Sequence, residues 1–445
     1  MTATAVHTLP ELGPTRPLTI PPAAERTLSN GLTVIAIRRP AVPLIEARLR
    51  VPFAGADLAT SALMSNTLFS GTSTMSTVEI AAELQAVGGA LGSGVDPDRL
   101  MISGNSLASG LDRFLEILAQ VLTDANYPTN EVETEQARLI DRLQVLQSQP
   151  SHLARVALQR RMYADHPYAV QTPTVDQARS VERDTLLALH RDRLHPTGGH
   201  LILVGDLDPD TVLDVVERRL GGWAGAGSPV ELPPTPALVA GPLVLADRKD
   251  SVQSSLRIAL PAVSRKHPEH AALQLANLVF GGYFSSRWVE NIREDKGYTY
   301  GPHSLIDHSI AGSALLVSAE VATGVTAPAL VETLYELGRI STKPVEAAEL
   351  EQARQYALGT LQLGMSTQAG LAGLASTYAG YGLRLDFLAE HSERLASASL
   401  ADVAAAAEKY MGPAKGVVVV LGDADVVGDS LSAVLPVTVQ PSTSA

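Results

Sequence analysis

Apolar positions change period several times along the chain. LTVIAIRR (32–39), LIEARLRV (44–51) and DRLMISGNSL (98–107) alternate, or run apolar, over strand-like lengths. Asn30-Gly31 is a turn signal ahead of the first of these. The second is expected to pair with the first as its antiparallel neighbour. Ser76 with Glu79 forms a capping box that opens the helix TVEIAAELQAV, and Gly88-Gly89 closes it. GLDRFLEILAQVLTD, EVETEQARLIDRLQVLQSQ and SHLARVALQRRMYA carry apolar residues three and four apart and predict consecutive helices. TLLALHRDRL predicts another helix, which leads into a closing strand, HLILVGD.

The same order returns in the second half. RLRVPFAG and TLFSGT are answered by LRIALPAV and LVFGGY, and HLILVGDLDP by GVVVVLGDAD. Matching markers are separated by roughly 210 to 220 residues, the signature of a duplication. Between the halves, GGWAGAGSPVELPPTPALVAGP is dense in residues that break both helix and strand. The expected organisation is an extension over 1–20, a first domain over 21–225, a linker over 226–242, a second domain over 243–430 and a tail over 431–445. Strands joined by short turns predict an α+β fold. It would comprise two homologous layered domains, each a mostly antiparallel sheet with helices packed on one face.

Composition narrows the function. The formal charge of −13 disfavours nucleic acid and anionic membranes as partners. No apolar run reaches the roughly 18 residues a membrane span needs. There is no cysteine, so a thiolate metal site and a thiol nucleophile are excluded. Residues 1–25 hold five prolines and no apolar core of a signal peptide, which points to the cytoplasm, or to the periplasm if a leader has been removed.

The window with the most distinctive chemistry is GGYFSSRWVENIREDKGYTYG (281–301). Gly281-Gly282 predicts a flexible turn, a candidate substrate loop. Ser285 or Ser286 can cap a helix through Trp288, Val289 and Ile292, ended by Lys296 and Gly297. Arg293 then falls in the last helical turn. Tyr300 falls at the start of a strand, because Tyr298-Thr299-Tyr300 has high strand propensity. A short reversal could bring the guanidinium and the phenol to one side, where they could bind a carbonyl or a developing oxyanion. From these residues alone, the simpler reading is preferred: a solvated arginine and a tyrosine half buried at a strand end. The histidines offer no clear site. His267-Pro-Glu-His270 reads as a surface loop, and His303 and His308 as incidental.

LSNGLTVIAI, TLFSGT, HPYA (166–169), HPTGGHLILVGDLDP, NIREDKGYTYG and VVVVLGDAD stand in the order found in one family. The chain resembles the insulinase/pitrilysin-like zinc peptidases, the inverzincins, and is most similar to the short bacterial members and to mitochondrial processing peptidase. Active members carry His-x-x-Glu-His just before the Phe-x-Gly-Thr segment. Its imidazoles hold zinc, and its Glu acts as base. The matching positions here are Ala62, Ser65 and Asn66. The family's third ligand belongs to a Glu-x6-Glu pair that matches Glu135 and Arg142. The corresponding positions of the second half are Leu273, Ala276 and Asn277. The resemblance thus implies no metal in this chain and zinc in a partner.

Arg293 and Tyr300 match the Arg/Tyr pair that the family places seven residues apart, which implies a catalytic role in substrate binding and transition-state stabilisation. The expected function is that of a non-catalytic subunit. It would pair with a homologous His-x-x-Glu-His chain in a zinc metallopeptidase acting on peptides or small unfolded polypeptides. Two other functions are open: a structural or assembly protein like the respiratory-complex core subunits, and a homodimer that binds peptides without cutting them.

Overall fold

The computed structural model describes residues 18–225 and 227–441. The first half runs β1 (Ala23–Thr27), β2 (Thr33–Arg38), β3 (Leu44–Pro52), α1 (Leu58–Thr67), α2 (Thr77–Ala86), β4 (Ala90–Val95), β5 (Arg99–Leu107), α3 (Leu111–Asp124), α4 (Thr129–Ser148), α5 (Pro150–Tyr163), α6 (Val175–Arg179), α7 (Arg183–Arg193), β6 (His200–Gly205) and α8 (Pro209–Leu220). The second runs β7 (Leu243–Asp247), β8 (Gln253–Pro261), α9 (His270–Asn277), α10 (Arg287–Val289), β9 (His303–Ser309), β10 (Gly312–Ala322), α11 (Thr326–Thr342), α12 (Ala347–Ser366), α13 (Gln368–Gly380), α14 (Phe387–Ser397), α15 (Leu400–Tyr410), β11 (Val417–Gly422), α16 (Ala424–Ser432) and β12 (Val437–Pro441). The fold is α+β, as the patterning predicts.

Each half builds a six-stranded sheet, in the orders β1-β2-β6-β3-β5-β4 and β12-β7-β11-β8-β10-β9. Five strand positions correspond one to one, so the duplication inferred from the sequence is a duplication of topology. The sixth is filled from opposite ends of the chain. β1 adds antiparallel to β2, whereas β12 adds parallel to β7. Residues expected as a C-terminal tail from 431 therefore contribute a helix end and an edge strand.

The expected pairing of β2 with β3 is incorrect. β6 lies between them, parallel to β2 and antiparallel to β3. Its apolar run, HLILVG, suits such a central place, because a strand covered on both faces has no polar side to show. β11 repeats this with VVVVLG, every residue of which is buried.

One face of each sheet packs on helices of its own half. Val34, Ala47, Leu49, Leu201 and Leu203 share a core with α1, α3 and α8, and Leu245, Ile258, Val317 and Val420 share one with α9, α11 and α15. The other face was not anticipated. Ile35, Ile37, Ile202 and Val204 of the first sheet are covered by Leu371, Ala372, Ala375 and Tyr378 of α13, from the second half. Val244, Ala259, Val417 and Val419 of the second sheet are covered by Leu158 and Met162 of α5, from the first. The halves thus exchange one helix each.

Polar contacts fix the exchange. The Gln368 amide at the start of α13 donates to the Arg39 carbonyl at 2.8 Å, and Arg39 donates to the Ser366 carbonyl at 2.6 Å. The backbone N–H groups of Ile310 and Ala311 donate to Asp98 and to the Tyr168 hydroxyl, at 3.1 and 3.2 Å. Residues 227–242, ahead of β7, are irregular but anchored. His166 Nε2 lies 2.8 Å from the Pro233 carbonyl, and Arg161 donates to that of Val239 at 2.7 Å.

Candidate substrate-contact site

The segment from α9 to β9 departs from regular helix twice. α9 widens into a π-helical turn at Leu278–Gly282, and α10 widens into another at Glu290–Asp295. Such turns insert a residue into the helical ladder and are frequent at functional sites. Gly281-Gly282 therefore ends a helix and is not the free loop expected. Gly281 is buried, and a Cβ there would meet Trp288 Cε3 at 2.8 Å and Ser304 Oγ at 2.9 Å. Of the two serines considered as caps, Ser286 takes the N-cap position, but its hydroxyl donates to the Tyr283 carbonyl at 2.7 Å. Lys296 ends the second turn, and Gly297 takes φ +64°, as the sequence predicts.

Arg293 lies in that last turn. Tyr300 does not start a strand: β9 begins at His303, and Tyr298-Thr299-Tyr300 is an irregular connection. Strand propensity is overridden there because no neighbouring strand pairs with it. The reversal nonetheless brings the two side chains together. Arg293 Cζ lies 5.2 Å from the centroid of the Tyr300 ring and 4.4 Å from that of Phe284. The guanidinium is held by two aromatic rings and by Glu294, 3.3 Å from Nε. Tyr300 is 87% exposed and Phe284 60% exposed. The pair stands on an open groove also lined by Gln253, Thr299 and Glu320.

Tyr300 stands open to solvent and Arg293 is half-buried beside it; a phenol and a guanidinium can both donate to a carbonyl oxygen. Exposed large aromatics beside a cation are what a contact surface needs. Sequence reasoning missed Phe284. Its only signal was an unneeded large apolar residue in a Gly/Ser-rich stretch.

The positions expected to replace zinc ligands lie on α1 and α4, which pack on each other. Ala62 is half-buried, Asn66 exposed and Ser65 buried, its hydroxyl without a partner among the described residues. The Ser65 carbonyl accepts from Ser93 Oγ at 2.7 Å, which ties α1 to the edge strand β4. Arg142 is exposed, and Glu135 is engaged by Arg138 at 2.5 Å. A methyl, a hydroxyl, a carboxamide and a guanidinium are not a donor set that fits a zinc ion, which needs imidazole or carboxylate ligands. In the second half, Leu273 and Ala276 are buried in the core, and Asn277 exchanges hydrogen bonds with Ser304.

His270 corrects the surface-loop expectation. It is the first residue of α9, 3% exposed, with its Nε2 3.2 Å from Nε2 of His308. Pro268 sits in the preceding turn, and the chain then drives His270 inward. His308, on β9, meets His270 there, whereas His303 is exposed.

Comparison with known proteins agrees with this architecture. Residues 59–174 match the family described as Insulinase (Peptidase family M16), and residues 180–356 match the one described as Peptidase M16 inactive domain. Together they span about two-thirds of the chain. An uncharacterised zinc protease of Mycobacterium leprae is 25% identical over 350 residues, covering 76% of this chain and 78% of that protein. Two crystal structures share the fold with a TM-score of 0.83. The peptidase M16 inactive domain from Pseudomonas fluorescens is 20% identical over 90% of this chain and 98% of its own. A protease from Helicobacter pylori is 16% identical over 90% and 100%. With the motif order, the repeated sheets and both halves matched, the chain belongs to the insulinase family of peptidases, M16.

Proposed function

We propose that this chain is the substrate-contact subunit of a two-chain metallopeptidase. It would be inactive alone and pair with a homologous chain that carries His-x-x-Glu-His, the metal and the base. The observation that carries this reading is the Arg293–Tyr300 pair, clamped by Phe284 on an open face of a chain whose own zinc positions cannot hold the ion. The name of the Mycobacterium leprae relative, a zinc protease, supports peptide hydrolysis as the chemistry.

In this assignment Arg293 holds a backbone carbonyl of a peptide or small unfolded polypeptide. Tyr300 donates its phenolic proton in a hydrogen bond to the oxygen on which charge develops. A pure scaffold would have no use for a clamped cation and a free phenol at this spacing.

The test is reconstitution. Tyr300→Phe in the two-chain complex should lower kcat by about 10²- to 10³-fold, the usual effect of losing one such donor, while size-exclusion chromatography shows assembly intact. An unchanged rate would remove Tyr300 from this role. The isolated chain should hold no stoichiometric zinc and cleave no test peptide.

A further inference from the structure

A cavity of about 350 Å³ opens in the second half between α9, β9, α12, α13 and α14. It shares no lining residue with the Arg293–Tyr300 groove. Its volume lies within the roughly 300–1,000 Å³ of small-molecule sites. Leu278, Leu361 and Leu374 give it apolar walls, and Arg265, Gln274 and three histidines give it a polar end.

The histidines form hydrogen-bonded links. His308 Nδ1 lies 2.8 Å from Ser313 Oγ, His308 Nε2 lies 3.2 Å from His270 Nε2, and His391 Nε2 lies 2.9 Å from Gln274 Oε1. Burial drives all three below the usual imidazole range, His270 to about 2, His308 to about 3 and His391 to about 4. They are neutral at pH 7.

Arg265 is therefore the one full charge on the lining, which contains no carboxylate among the described residues. Its guanidinium stacks 5.7 Å from the centroid of the Tyr378 ring and 5.6 Å from that of Tyr381, and its Nε is buried without a hydrogen-bond partner. Asp307 feels its field but makes no ion pair with it. A half-buried guanidinium without an acid partner favours a planar anion that accepts two parallel hydrogen bonds. One positive charge matches one negative charge, and the walls match hydrocarbon.

We propose that this cavity binds a small monocarboxylate with an apolar body, the carboxylate on Arg265 and the body against Leu278, Leu361 and Leu374. The site needs no partner chain, so its test is separate from that of the peptidase assignment.

Calorimetric titration of the full chain would use decanoate, decanol, trileucine and trileucine amide. Decanoate or trileucine should saturate one site, with the matching alcohol or amide at least tenfold weaker. Saturation by decanoate alone identifies a free organic acid, and by trileucine alone a peptide C-terminus. Arg265→Gln should weaken the acid at least tenfold. Thr360→Trp, at an exposed lining position on α12, should abolish binding while circular dichroism stays unchanged. Equal binding of acid and neutral analogue, no binding by either acid, or an affinity indifferent to Arg265→Gln would overturn the proposal.

Discussion

Phe284 and Tyr300 both hold their rings against the Arg293 guanidinium, which orients the cation ahead of the peptide binding proposed for it. Each such contact at an exposed site is worth about 0.5–1 kcal/mol. Phe284→Ala should therefore raise the KM of the proposed two-chain peptidase several-fold and lower the unfolding free energy by no more than about 1 kcal/mol. Steady-state kinetics beside urea titration separates the two. The buried imidazoles give a second expectation. In the unfolded chain they titrate near 6.5, and in the fold at about 2, 3 and 4, chiefly through desolvation, with Arg265 adding to it for all three. Arg394 adds to the depression of His270 and His391. Between those values the unfolded chain takes up protons that the folded chain refuses. Their stabilising contribution is complete above about pH 6.5 and declines as pH falls below it, by up to about 1.4 kcal/mol per pH unit for each imidazole. His391→Gln should make urea midpoints less steep across pH 6 to 4.5. Among these residues, Arg293 and Tyr300 were legible because their seven-residue spacing is local and the turn between them is written in Lys296-Gly297. The histidine cluster was not. His270, His308 and His391 lie on three elements, and only tertiary packing brings them together.

At the scale of elements, most helices and strands could be read directly. The Ser76–Glu79 box caps α2 with both reciprocal hydrogen bonds, and Gly88 closes it at φ +59°. What periodicity could not supply was neighbourhood. Nothing in LTVIAIRR and LIEARLRV says that a strand some 150 residues later separates them. The doubly apolar runs of β6 and β11 carry that information only as a need for two covers. The π-helical turns were also hidden, since one residue inserted within a stretch of five or six is too short a change for apolar periodicity to register. Gly281 is required at the first of them by closeness to Trp288 and Ser304, not by flexibility. Gly281→Ala should cost about 1–3 kcal/mol, as overpacking of a filled core does, measured as a lower urea midpoint with unchanged slope.

For the whole molecule, the exchange of α5 and α13 makes each sheet depend on both halves. Neither sheet is fully covered unless the other half is folded beside it, so the two should unfold together. Calorimetry should give one transition with equal van't Hoff and calorimetric enthalpies. Two resolved transitions would show that the exchanged helices contribute little. The exchange also sets an order on biosynthesis. The last strand of the first sheet leaves the ribosome roughly 160 residues before the helix that shields Ile35, Ile37, Ile202 and Val204. For that interval a nascent apolar surface stands open to solvent and to neighbouring chains. Translation speed and holding chaperones, more than the equilibrium stability of the finished protein, are then expected to govern how much of it reaches the native state.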